Sequence, residues 1–182
     1  MKKAIQYFKS VFTLDLRALA LLRIGIAAVV LLDLCIRATD LKAHYTDEGL
    51  LPLSALFQYA WDSWNISIHN VSGLWFVQVM LFVAAAFFAL AMMLGWKTKL
   101  STALSWLLLM SLQNRNNLIL QGGDDLLRMI LFWGIFLPWG KCYSLDKLRS
   151  NELSTEYSYF GIASIGYVVQ IVSVYVFSAL LK

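Results

Sequence analysis

The stretch Leu16–Ile36, LRALALLRIGIAAVVLLDLCI, is an almost continuous apolar run. A helix of about 20 residues crosses roughly 30 Å of hydrocarbon, and this run is long enough to do so. Hydrophobic residues make up 60% of the 182-residue chain and charged residues only 14%, whereas soluble domains carry about 25% charged residues. Because a globule of this size cannot bury so much apolar surface, the sequence predicts a multi-pass protein of the cell membrane.

Further apolar runs follow the first one, and together they predict an all-α bundle of about five membrane helices. The first run is long enough to span, so we expect an uncleaved helix there and not a signal peptide. The length of the chain predicts a single transmembrane domain over residues 1–182. The later runs are Leu74–Leu94, Leu100–Leu112, Leu126–Trp139 and Tyr159–Leu181.

The distribution of lysine and arginine predicts the orientation, because basic residues accumulate on the inner side. With the N-terminus inside, the outer segments hold Arg37, Lys42, Arg115 and Lys182. We therefore predict an N-in, C-out topology with a long outer loop over residues 37–73. The basic residues are scattered and form no stripe, so the net charge of +4 does not indicate nucleic-acid binding. The inner segments hold more of them: Lys2, Lys3, Lys9, Lys97, Lys99, Lys141, Lys147 and Arg149.

Residues 113–125 form a polar stretch between the two shortest apolar runs. As helices these runs reach only about 20 Å each. If both begin at the inner surface, the segment that joins them lies at or below the outer headgroups. Irregular backbone at that depth is tolerated only where it is buried in protein or lines a wet cavity. The sequence therefore predicts a re-entrant-like segment and an outward-facing polar cavity. The alternative is that the third helix simply continues to Leu120.

Three consecutive residues of this stretch are candidates for binding a substrate in the cavity. Asn114, Arg115 and Asn116 supply amide groups and a fixed cation, which can hold a carboxylate or a quinone oxygen. The alternative is hydrogen bonding between helices, which is common in membranes.

The sequence GGDDLLR, residues 122–128, opens the fourth helix. Asp124 or Asp125 is expected to cap this helix at its positive end. Either acid can also pair with Arg128, which follows at i+4 or i+3. A helix cap made by one acid and an ion pair made by the other account for both. The alternative is that one of them contacts a substrate or a cation in the cavity.

Two charged residues interrupt the first apolar run. Asp33 lies near its outer end, where we expect it to meet Arg115 or Arg128. Arg23 is expected to have a structural role, and its long side chain can extend to the inner interface.

The histidines and cysteines indicate no metal site. His44 and His69 lack metal-ligand spacing to another histidine, cysteine or acid, and we expect both to be surface residues. Cys35 and Cys142 are predicted to lie on opposite sides of the membrane, so they cannot pair.

The last apolar run carries three polar residues of interest. Gln170 lies in mid-membrane and needs a hydrogen-bond partner. Tyr175 and Lys182 are seven residues apart and share one helix face. A lysine in an apolar environment loses its charge easily and can act as a base. The alternative, which the spacing alone favours, is that Lys182 anchors the helix end at the interface.

The order of these motifs resembles the HTTM family, the membrane domain shared with vitamin K-dependent gamma-carboxylases. Four pieces carry the resemblance, and they occur in the order that the family has. They are LRIGIAAVVLLDL at 22–34, HYTDEGLLP at 44–52, NRNNLILQGGDDLLRMILFWGIFLPWGKCYSLD at 114–146 and QIVSVYVFSALLK at 170–182.

The resemblance implies an outward-facing active site in which reduced vitamin K is oxidised. The strong base so formed removes a gamma proton from a protein glutamate, and carbon dioxide adds. The initiating lysine of the carboxylases follows a tyrosine after six residues, which by resemblance matches Tyr175 and assigns Lys182 as the base. The polar residues of 114–125 would line the same cavity.

This sequence also departs from the family pattern, because the family continues past the lysine with a Trp-x-x-Gly element and further helices. We therefore expect a partial or accessory module without complete catalytic machinery, and the sequence identifies no cofactor for it. Its partners would be membrane lipid and another membrane or secreted protein or peptide. One alternative is that the chain is part of a quinone-dependent gamma-carboxylase-like lyase. Such an enzyme needs reduced vitamin K or another quinone. A second is a membrane partner in peptide or toxin maturation or in immunity.

Overall fold

The computed structural model describes residues 2–60, 66–150 and 157–181. The described chain is mostly α-helical, with two short antiparallel strands that pair near the start of the first long helix. A π-helical turn at Leu56–Ala60 and 3-10 turns at Ile68–Val71 and Asn117–Ile119 complete the described elements. The helices are α1 (Lys2–Phe12), α2 (Leu16–Thr39), α3 (Leu41–Tyr45), α4 (Leu53–Ala55), α5 (Trp75–Leu94), α6 (Thr98–Arg115), α7 (Gly122–Phe136), α8 (Leu145–Arg149) and α9 (Ile162–Leu180), and the strands are β1 (Leu14–Asp15) and β2 (Ser158–Tyr159).

Three of these helices, α2, α5 and α9, are long and apolar enough to cross a membrane. They coincide with the first, second and fifth predicted runs, which confirms a mostly helical protein with three described helices that are long and apolar enough to span a membrane. Helices α6 and α7 occupy the third and fourth runs. Helix α6 has 18 residues and therefore a length of about 27 Å. Helix α6 is longer than the third apolar run, because the polar residues on both sides of that run are helical too.

Sequential neighbours pack against one another along the bundle. Helix α2 packs on α5, α5 on α6 and α6 on α7, while α9 lies against α7 and α1. Small residues occupy the centre of the packed faces, and Ala20, Ala27 and Ala89 are completely buried. Such residues allow the backbones of membrane helices to approach closely. The chain thus forms a bundle with two ends, which we call the α5–α6 end and the α6–α7 end after the turns found there.

The α5–α6 end is closed tightly around Gly95, the left-handed residue that ends α5 with φ of 70°. A Cβ atom at this position would lie 2.3 Å from the Ser144 Cβ. The Asp146 carboxylate accepts hydrogen bonds from the backbone amides of Lys97 and Thr98 at 2.8 and 2.7 Å, and so it caps the start of α6. The segment after α7 is therefore fixed to the turn between α5 and α6.

Arg23 of α2 reaches into the same end and is completely buried. Its Nη1 donates to the Trp139 carbonyl at 3.0 Å and its Nη2 to the Tyr143 carbonyl at 2.5 Å. The structural role predicted for Arg23 is confirmed by these two hydrogen bonds. Arg23 connects α2 to the segment that follows α7.

Candidate functional site

The NRN motif at the end of α6 connects this helix to the segment between α2 and α5. The Asn114 side chain donates to the Ile66 carbonyl at 2.9 Å, and the Arg115 Nη2 donates to the Leu51 carbonyl at 3.0 Å. The Asn116 side chain donates to the His44 carbonyl at 3.2 Å. Three consecutive side chains thus bind three separated carbonyls. This favours the hydrogen-bonding alternative for Asn114 and Asn116, whereas Arg115 keeps further donors.

The backbone of the polar stretch is irregular after Arg115. Asn116 is extended, with φ of −139°, and its side chain accepts from the Leu118 amide at 3.2 Å. A 3-10 turn follows at Asn117–Ile119 before α7 begins at Gly122. The alternative in which the third helix continues to Leu120 is therefore wrong, because the Asn116 side chain takes over the backbone amide that a continuing helix would need.

Arg37 is the centre of a buried charge network at the α6–α7 end. Its Nε lies 2.9 and 2.8 Å from the two carboxylate oxygens of Asp33. Its Nη2 lies 2.6 Å from Asp124 Oδ1, and its Nη1 donates to the Tyr45 hydroxyl at 3.1 Å. The Arg37 and Asp124 side chains are each only 10% exposed. Burial raises the pKa of Tyr45, which keeps the phenol neutral beside the network.

These contacts correct two predicted ion pairs. Asp33 was expected to meet Arg115 or Arg128, but it pairs with Arg37, one helical turn away. Either Asp124 or Asp125 was expected to pair with Arg128, but Asp124 pairs with Arg37. The reason is that Arg37 lies between the two carboxylates, so one planar guanidinium serves both.

Asp124 also caps α7, as predicted, because its Oδ2 accepts from the Gln121 amide at 2.9 Å. Arg128 instead donates through Nε to the Gln113 side chain at 2.9 Å. The Gln113 amide donates in turn to the Asp124 carbonyl at 3.3 Å, so the Gln113 side chain joins α6 to α7. Asp125 is exposed.

A groove of about 340 Å³ lies between α2 and α7 and has the charge network at one end. Its polar lining consists of Asp33, Arg37, Gln121 and Asp124. Such an arrangement can hold a molecule with an apolar body and a hydrogen-bonding head. Of the predicted substrate-binding residues only Asp124 lines this groove. The rest of the lining is apolar or glycine: Ile26, Val29, Gly123, Leu126, Leu127 and Ile130.

His69 was predicted to lie at the surface, and this prediction is wrong. The side chain is only 1% exposed, and its Nδ1 lies 2.7 Å from the Ser111 hydroxyl of α6. Burial, together with the charge of Arg115, lowers the pKa of His69 to about 4. His69 is therefore neutral at physiological pH. His44 is partly exposed.

The predicted residues of the last helix are not brought to the groove. Tyr175 is 73% exposed, and Lys182 lies outside the described residues. Gln170 has the hydrogen-bond partner that its position required, because its side-chain oxygen accepts from the Trp133 indole of α7.

Within the described ranges no group of three or more histidines, cysteines and acids has the arrangement of a metal site. Cys35 and Cys142 are both free thiols.

Sequence reasoning missed Arg37, Tyr45 and Gln113 as members of the network. The spacing of Asp33 and Arg37, four residues apart on one helix, was a usable signal for their pairing. No local signal connects Arg37 with Asp124, which lies far along the chain.

No family model, curated protein or solved structure matches the chain.

Proposed function

We propose that the protein is a multi-pass membrane protein of the HTTM type that acts as an accessory module without complete catalytic machinery. In this proposal it binds another membrane or secreted protein or peptide. A role in peptide or toxin maturation or in immunity is one form of such an activity.

The observation that carries this proposal is the exposure of the second half of α9. Every residue from Val174 to Leu181 is exposed, and the side chain of Tyr175 is among them. The buried residues of α9 are Ala163, Ser164 and Tyr167, all in its first half. A helix end that is uncovered on all sides favours a partner, because aromatic side chains such as Tyr175 are typical anchors of protein interfaces.

The separation of Tyr175 from the charge network also supports an accessory role. A gamma-carboxylase-like enzyme would need the tyrosine and the acidic cavity to act on one substrate. Here Asp124 is buried against Arg37 of α2, whereas Tyr175 points away from the bundle. A second protein that covers α9 is the simplest way to complete such a site.

The proposal includes five membrane helices with the N-terminus inside and an outward-facing cavity. It is supported by α6 and α7, which follow α5 as an antiparallel pair packed along the bundle. It is also supported by the lysines near the α5–α6 end, among them Lys97, Lys99 and Lys141, because inner segments are rich in basic residues. The groove between α2 and α7 then opens toward the outer side and the lipid.

The chain extracted from native membranes in mild detergent is expected to elute in a stoichiometric complex. Replacing Tyr175 and Phe177 together by alanine should weaken this complex by about 700-fold, since each of the two interface anchors contributes about 2 kcal/mol. Native mass spectrometry of the tagged protein measures both the stoichiometry of the complex and its loss in the variant. The matched control replaces Leu21 and Leu32, which are equally exposed on α2, and should leave the complex intact. Elution of the bare chain alone would contradict the accessory role.

A second candidate is part of a quinone-dependent gamma-carboxylase-like enzyme, and the groove favours it. An apolar wall with a charged end suits a reduced quinone with its apolar tail. The test is incorporation of labelled carbon dioxide into a glutamate peptide in the presence of reduced vitamin K. The accessory proposal predicts that the isolated chain gives no more signal than Lys182→Ala. A signal that the wild-type chain alone gives and the variant loses would establish the enzyme instead.

A further inference from the structure

Arg115 is a completely buried cation whose hydrogen-bonding capacity is mostly unused. Among the described residues only its Nη2 has a partner, the Leu51 carbonyl at 3.0 Å. Its Nε and Nη1 are buried without a hydrogen-bond partner among the described residues. Buried N–H groups of a charged side chain are costly when they are left unpaired. The unpaired N–H groups of Arg115 therefore need a hydrogen-bond acceptor next to them.

A second buried donor, His69, contacts the same side of α6 through Ser111. Ser111 and Arg115 are four residues apart and share one helix face. The Ser111 hydroxyl oxygen accepts from the backbone amides of Ile68 and His69 at 2.7 and 3.1 Å. With its lone pairs occupied, the hydroxyl gives its proton to His69 Nδ1 at 2.7 Å. The ring proton of the neutral imidazole is then on Nε2.

His69 Nε2 is also buried without a hydrogen-bond partner in the described part of the chain. Arg115 and His69 thus present three donor nitrogens, with four N–H bonds in all, that have no acceptor among the described residues. The neutral state of the imidazole is the form that donates from Nε2 alone, and its low pKa keeps it in this form. Unpaired buried donors, two of them on a cation, are the chemistry that recognises a small anion.

Asp47 is a described acid whose charge acts on Arg115, and it is already engaged elsewhere. Its carboxylate accepts from the Leu53 amide at 2.8 Å, and the residue is exposed. The other nearby polar group is Tyr45, whose hydroxyl accepts from Arg37 at 3.1 Å. Neither of them reaches Arg115 with a hydrogen bond, so the positive charge is only partly balanced.

We infer that a small monovalent anion, either chloride or a small carboxylate, binds between the side chains of Arg115 and His69 at the α6–α7 end. This site is separate from the groove, whose polar lining is Asp33, Arg37, Gln121 and Asp124. It also stands independently of the accessory role. The bound anion neutralises Arg115 and so stabilises the connection between α6 and the segment that contains Leu51 and His69.

Thermal unfolding of the purified protein in detergent tests this site. Chloride should raise Tm above its value in gluconate at equal ionic strength, and the rise should grow with concentration, because a ligand that binds only the folded state stabilises it. Acetate and formate in the same series show whether a carboxylate is accepted as well. Arg115→Gln should abolish the difference between chloride and gluconate. Arg17→Gln, a change at an exposed arginine, should leave it intact.

Line broadening of the chloride-35 NMR signal gives a second readout that does not depend on unfolding. The wild-type protein should broaden the signal, and unlabelled acetate should reverse the broadening if carboxylates share the site. Arg115→Lys should raise the Kd for chloride by about 10- to 100-fold, since a charge-assisted hydrogen bond contributes about 1.5–3 kcal/mol. Equal Tm values in chloride and gluconate, together with no broadening by the wild-type protein, would overturn the inference and assign these donors to water alone.

Discussion

Replacing Arg37 by methionine is expected to lower the free energy of unfolding by about 3–5 kcal/mol, the usual cost of removing one partner of a buried ion pair. The loss is large because Arg37 serves Asp33 and Asp124 at once, at 2.8 and 2.6 Å. Without it, the buried Asp124 carboxylate and the half-buried Asp33 carboxylate both lose their cation. Denaturant titration in detergent micelles measures the effect.

Two variants distinguish charge from packing at this position. Adding Asp33→Asn and Asp124→Asn to Arg37→Met should recover most of the lost stability, because the triple variant leaves no buried charge unpaired. Arg17→Met is the matched control, since Arg17 pairs with Asp15 at 2.9 Å but both side chains are largely exposed. If Arg37→Met unfolds no more easily than Arg17→Met, the buried network does not hold α2 to α7.

Replacing Arg23 by methionine is expected to lower the free energy of unfolding by about 2–6 kcal/mol, because two carbonyl groups lose their donor at about 1–3 kcal/mol each. These are the carbonyls of Trp139 and Tyr143, at 3.0 and 2.5 Å. The segment after α7 should also exchange its backbone amides faster, since Arg23 connects it to α2. Denaturant titration and hydrogen exchange over residues 139–149 measure the two effects.

The control for Arg23 is Lys141→Met, a change at an exposed cation of the same segment. It removes a charge but no buried hydrogen bond, so both the stability and the exchange rates should stay close to the wild-type values. Unchanged exchange over this segment in Arg23→Met would show that the two carbonyls do not depend on Arg23.

The long helices could be predicted from the sequence because hydropathy over about 20 residues is a strong and local signal. Helices α2, α5 and α9 follow directly from it. The ends of α6 could not be predicted in the same way. Thr98 and Arg115 are polar but helical, since Asp146 caps the first turn and carbonyls of another segment accept from the last.

The partners of the polar residues depend on how the helices pack, and the sequence contains little of that information. The i+4 spacing of Asp124 and Arg128 predicted a pair, but Arg37 of α2 approaches Asp124 and takes its place. Likewise, nothing near His69 in the sequence indicates that Ser111 of α6 covers it. The cap of α7 could be predicted because it involves only neighbouring residues, Gln121 and Asp124.

Photo-crosslinking at position 175 in native membranes tests the accessory role most directly. A photoreactive phenylalanine analogue replaces Tyr175, and matched probes replace Leu32 of α2 and Phe76 of α5, which are 63% and 66% exposed. If α9 docks a partner, the probe at 175 forms one discrete protein adduct, while the probes at 32 and 76 label lipid. Lipid adducts alone at all three positions would contradict the proposed function.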